Sequence, residues 1–177
     1  AHGTVVPGDL KATSLPAAFF RFTVENRGRA PASATLMFSW ENIAGCMHGV
    51  YPDQRGSIEK ILEGDRLIGL EFRSPPGSRP NQTGSHVLRI EAPPGAHVTA
   101  AKFNTWEACS MLNRLEDQGA FPPDAWDRFF FSNSEYTGAL ACRVPLKPGQ
   151  KREVTWVLAW HYPDYKVGES EAVGRQA

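Results

Sequence analysis

Two groups of acidic residues are the first candidates for chemistry in this chain of 177 residues. Glu116 and Asp117 are adjacent, and Asp124 and Asp127 flank Trp126. Two carboxyl groups can cleave a glycosidic bond, one as acid and the other as nucleophile or base. Spacing along a chain does not bring two carboxylates to one sugar. The same residues read equally well as solvated charges at a helix end and in a loop. Trp126, Asp127, Phe129 and Phe130 form the candidate segment for contact with a substrate or with another domain. An indole face suits the apolar face of a sugar ring. Phe121–Phe131 holds more aromatic residues than a solvated loop needs. Trp106 invites a similar reading, set against simple packing of a helix on a sheet.

The remaining reactive side chains do not assemble into a motif. His2, His48, His86, His97 and His161 are scattered, and none lies one helical turn from another on an expected helix. Cys46, Cys109 and Cys142 are far apart. An odd count without CxxC argues against a disulfide scaffold and a zinc site, and favours small buried hydrophobes. Cys46-Met47-His48 offers two soft ligands without a second pair. A nucleophile elbow, P-loop, HExxH and dinucleotide fingerprint are all absent. No catalytic residue, metal or cofactor is therefore assigned.

Composition narrows the partners. Nineteen Lys and Arg balance nineteen Asp and Glu, which gives no basic excess for nucleic acid. The longest apolar runs fall far short of the roughly 18 residues of a transmembrane helix, so no such segment is expected. Free cysteines favour a reducing, cytoplasmic setting. Sixteen Gly and fourteen Pro indicate many turns between short elements.

Alternating apolar residues predict strands over Ala18–Glu25, Ala32–Trp40, Arg66–Phe72, His86–Glu91, Ala96–Phe103, Gly138–Val144 and Glu153–Trp160. Phe20, Phe22, Leu36, Phe38, Val154, Trp156 and Leu158 are the expected core. The Asn26-Arg27-Gly28 turn, with residues that tolerate positive φ, predicts a hairpin between the first two strands. Pro145 and Lys147–Gln150 are read as the break between the last two. Trp106, Cys109, Leu112 and Leu115 recur every three residues and predict one helix near 105–117. Asn104 and Glu107 resemble a capping box at its start, and Gly119 is placed to end it. Stretches 74–85 and 118–137 read as loops. The pattern predicts an all-β fold, an antiparallel two-sheet sandwich with wet outer surfaces. A closed barrel is the alternative.

Three stretches carry a family resemblance. They are FFRFTVENRGRAPASATLMFSWENIAG over 19–45, MLNRLEDQGAF over 111–121, and GALACRVPLKPGQKREVTWVLAWHYP over 138–163. Their order and content resemble the N-terminal β-sandwich domain of glycoside hydrolase family 116. That family includes the non-lysosomal glucosylceramidase, or bile-acid β-glucosidase, and bacterial β-glucosidases. The resemblance implies a retaining β-glycosidase whose nucleophile and acid/base lie in a C-terminal helical barrel. Residues 1–163 would then be sandwich, incomplete at its start, and 164–177 a tail or linker toward the barrel. The partner implied is that catalytic domain, with a β-glucoside or glycolipid as its substrate. The alternative is a free-standing carbohydrate-binding or adhesion module.

Overall fold

The seven alternating segments build seven of the eight strands found among the described residues. The computed structural model describes residues 16–44, 56–78, 83–104, 107–126 and 137–162. In chain order these hold β1 (Ala17–Glu25), β2 (Ala32–Glu41), β3 (Ile58–Glu63), β4 (Arg66–Arg73), β5 (Ser85–Glu91), β6 (His97–Phe103), helix α1 (Ala108–Gln118), a 3-10 turn (Pro123–Ala125), β7 (Thr137–Leu146) and β8 (Lys151–His161). Every pairing is antiparallel. One sheet has the order β1-β8-β5-β4-β3, the other β2-β7-β6. The fold is the expected two-sheet sandwich.

Inner faces supply the main core. Leu70, Phe72, Leu88, Leu140, Cys142, Val144, Val154, Trp156 and Leu158 are buried together with Ile90 and Leu146. Phe20, Leu36 and Phe38 are partly buried and pack against them. Phe38 stands 5.0 Å from Phe20 and 5.8 Å from Trp156, ring centre to ring centre, which links the layers through an aromatic chain. Gly138 is buried where a side chain would collide. A Cβ there would lie 2.9 Å from Cε1 of Phe72 and 3.0 Å from Cδ1 of Leu70.

Several expectations are corrected. β1 and β2 do not form a hairpin: β1 pairs with β8, and β2 with β7. Alternation shows that each strand has one apolar face. Here the two faces meet across the sandwich rather than lying side by side. Gly28 does not take a positive φ. The turn instead closes through the Asn26 side chain, whose Oδ1 accepts the Gly28 N–H at 2.9 Å. Phe22 is 43% exposed, not core. A five-stranded layer is wider than a three-stranded one by two strands, roughly 10 Å. Phe22 stands on edge strand β1, where the larger sheet overhangs. β3, with the sequence IEKILE, lacks the alternation that marks the other strands. Pro145 lies inside β7 rather than beyond it. β6 pairs with β7 only as far as Arg143, so Pro145 has a neighbour on one side alone, where a missing N–H is tolerated.

The outer face of the smaller sheet is covered over part of its area, not wet throughout. Met111 and Phe121 bury themselves against Ala101, Phe103, Ala139 and Ala141. This is why these strand alanines, weak β-formers, occur here: the helix needs a flat surface. The capping box forms. The Glu107 N–H donates to Asn104 Oδ1 at 3.1 Å, and the Asn104 N–H donates to Glu107 Oε2 at 3.3 Å. Gly119 ends α1 with φ of 67°, a left-handed conformation that favours glycine. Trp106 lies outside the described residues.

Candidate functional site

Strand direction divides the sandwich into two unlike ends. At one end the links are short: 26–31, 64–65, 92–96 and 147–150. The other end gathers the start of β1, the end of β8 and the three long connections, 42–57, 74–84 and 104–136. Registers Ala17↔Ala159, Ser85↔His161, Arg73↔Ser85 and Phe103↔Thr137 align these strand ends. Loops carry function where a rigid scaffold presents them, so the long-connection end is the candidate site.

Asn42 ties the two sheets together there. Its Nδ2 donates to the carbonyls of Ser57 at 3.2 Å and Arg73 at 3.1 Å, and its Oδ1 accepts the Ala44 N–H. Behind it stands a row of rings. Trp40 and His86 are 6.1 Å apart, and His86 and Tyr162 are 5.3 Å apart. The Tyr162 hydroxyl lies 3.2 Å from Nε2 of His86. His86 is buried, and desolvation holds its pKa below the usual imidazole value. It is therefore a neutral ring at pH 7. Trp40 Nε1 and Glu41 Oε1 are shielded from solvent without a hydrogen-bond partner among the described residues.

Trp126 follows the 3-10 turn and packs, half-buried, against the main core. Lys60 on β3 and Lys102 on β6 each hold Nζ 4.6 Å from its ring centre. These strands are the last of their respective sheets on one side. The indole thus bridges the open flank between the layers, held by two cation–π contacts worth about 0.5–1 kcal/mol each at exposed sites. Asp127, Phe129 and Phe130 lie outside the described residues. Asp124 takes Arg114 at 3.2 Å. Glu116 and Asp117 are exposed at the end of α1, beside Thr35 and Arg143. Of the four acids of the sequence reading, the three that are described do not share one point: Asp124 pairs with Arg114, while Glu116 and Asp117 line a separate cleft.

The outer face of the larger sheet adds an apolar cleft of about 270 Å³ at this same end. Phe19, Val87, Ala159 and Trp160 line it beside Pro16 and His161. Phe19 and Trp160 are 46% and 39% exposed, and both border this cleft. Among the described residues no three His, Cys, Asp or Glu side chains gather as a metal site. No helix among them is long and apolar enough to cross a membrane. What the end offers is surface for contact: exposed aromatics and strand ends. Sequence reasoning missed Lys60, Lys102, Asn42 and the His86–Tyr162 pair, because each acts on residues distant in the chain.

Residues 1–176 match a family model described as beta-glucosidase 2, glycosyl-hydrolase family 116 N-term. The comparison with curated proteins gives no match.

Proposed function

The chain belongs to the family of N-terminal domains of glycoside hydrolase family 116, and from that premise we propose that it is the non-catalytic sandwich portion of a retaining β-glucosidase or glucosylceramidase-like enzyme. In this reading it packs on a C-terminal catalytic domain and shapes the entrance to that domain's site. The sandwich supplies a rigid wall, and the partner supplies the nucleophile and the acid/base. Residues 164–177 serve as the connection, and the segment from Trp126 through Asp127, Phe129 and Phe130 contributes to the junction or to the substrate entrance.

The observation that carries this reading is the gathering of the three long connections and the end of β8 at one pole of the sandwich. A domain that follows β8 meets that pole first. The exposed Phe19 and Trp160 beside the end of β8 support it, since bare aromatic surface favours burial. Inter-domain faces typically bury about 600–1,500 Å², which is more than one such cleft and requires the connections to take part.

The test has two arms. Hydrolysis of an aryl β-glucoside is followed for the chain alone and for the protein carrying its catalytic domain. Amide hydrogen exchange is compared in the same two samples at 42–44, 74–78, 83–84 and 126. The expected result is no turnover by the chain alone, and slower exchange at those segments when the catalytic domain is present. A covalent glycosyl adduct on any Asp or Glu of this chain would overturn the non-catalytic reading. Unchanged exchange would overturn the packing.

A further inference from the structure

The opposite pole has a different character. Two of its three inter-sheet turns, 26–31 and 147–150, are stitched into one platform by Asn26, which is only 7% exposed. The Asn26 N–H donates to the Gln150 carbonyl at 3.0 Å, and the Gly149 N–H donates to the Asn26 carbonyl at 2.8 Å. Its Nδ2 donates to the carbonyls of Ala30 and Leu146 at 2.9 and 3.2 Å. The platform is strongly basic although the whole chain is neutral. Residues 25–31 and 143–153 hold six cationic side chains against two carboxylates, Glu25 and Glu153. Both carboxylates are taken, Glu25 by Arg27 and Lys151 and Glu153 by Arg21.

Among the described residues Lys147 and Arg152 have no carboxylate partner, and Arg143 makes no ion pair although it also borders the cleft that holds Glu116 and Asp117. All three line one cleft of about 620 Å³, together with Ser33, Gln150, Pro31, Ala32, Pro145 and Leu146. The lining holds three cations, two neutral hydrogen-bonding side chains and no acid. Arg152 shares the inward-facing side of β8 with Val154 and Trp156, and its Nε is shielded without an acceptor among the described residues. A shielded guanidinium N–H without an acceptor is costly, and a charged oxygen is its strongest match.

We propose that the cleft bounded by Arg143, Lys147 and Arg152 binds a phosphate-class oxyanion. Arg152 donates from the floor, and Arg143 and Lys147 neutralise the charge from the rim. The group fits equally as a soluble phosphate ester or as the headgroup of an acidic phospholipid. Because the cleft lies at the short-turn pole, it remains open while the other pole is occupied.

The probe is inorganic phosphate, titrated into the protein with chloride at matched ionic strength as control. The side-chain Nε–Hε signal of Arg152 is followed by NMR. A saturable shift with phosphate and not with chloride is expected. The exposed double variant Arg143→Gln/Lys147→Gln should weaken it at least about tenfold, the size of one charge-assisted hydrogen bond. That variant's circular dichroism and unfolding midpoint should match the parent. A shift that does not saturate, one that chloride reproduces, or one unaffected by the double variant overturns the proposal. Flotation with phosphatidic acid vesicles, but not with phosphatidylcholine vesicles, would identify the headgroup as the source. Saturable phosphate binding without flotation would identify a soluble ester.

Discussion

Replacing Asn26 by Ala should be among the most damaging single changes outside the apolar core. The side chain makes three hydrogen bonds: Nδ2 to the Ala30 and Leu146 carbonyls, and Oδ1 from the Gly28 N–H. Each bond contributes about 0.5–1.5 kcal/mol net, and a buried group left unpaired costs about 1–3 kcal/mol. Only the bond to Leu146 is fully buried, so one full penalty and two smaller losses apply, about 3 kcal/mol in all. For a domain of this size that lowers Tm by roughly 6–12 °C. Thermal and urea unfolding followed by circular dichroism would measure it. Asn113→Ala, on the exposed side of α1, is the control and should change stability by less than about 0.5 kcal/mol. Asn26→Asp is the sharper variant. It keeps the acceptor for Gly28 but turns a carboxylate toward two carbonyls, so at pH 7 it should be no better than Ala. A loss below about 1 kcal/mol for Asn26→Ala, or wild-type stability for Asn26→Asp, would refute the view that this amide joins the two turns.

Trp156→Ala should cost about 3–5 kcal/mol, while Phe22→Ala should cost well under half of that, because Phe22 is 43% exposed on an overhanging edge; urea midpoints of the two variants give the comparison. His86 is held neutral by burial, so its folded pKa lies below its unfolded value. The unfolded chain then binds the extra proton first. Stability should be full above about pH 6.5 and fall as pH drops below it, and His86→Gln should flatten that slope between pH 7.5 and 5.5. Burial pushes the Cys142 thiol up to about 11, and Cys109 is exposed. Maleimide labelling at pH 8, read by peptide mapping, should modify Cys109 quickly and Cys142 only on unfolding.

Where alternation was long, the strands could be read from the sequence. Glu153–Trp160 appears as β8, with Val154, Trp156 and Leu158 inward. Alternation fixes which face is apolar, but not which strand lies alongside. β1 and β2 therefore looked like a hairpin and prove to face each other from different sheets. β3 escaped because IEKILE is rich in Glu and Lys, which are depleted in strands, and its isoleucines stand three apart, a helical spacing. It is stable as an edge strand through β4 and through Trp126 beside Lys60. The candidate site was the least legible part. Trp126 could be singled out from its sequence surroundings. Nothing local to it announces Lys60 or Lys102, which lie 66 and 24 positions earlier. The pairing of His86 with Tyr162 spans 76 positions and exists only once β5 and β8 lie side by side.

The pairing of β1 with β8 also sets how the sandwich responds to tension. Ala17 at the start of β1 lies opposite Ala159 near the end of β8. A pull applied through these two positions meets the ladder at its end and at right angles to the strands. Its hydrogen bonds are then loaded one after another, as in a zipper, and not all at once, as in shear. The sandwich should be mechanically soft along that axis whatever its thermodynamic stability. Resistance should rise sharply when force is applied instead between Ala17 and the Lys151 end of β8, where the whole β1–β8 ladder carries the load together.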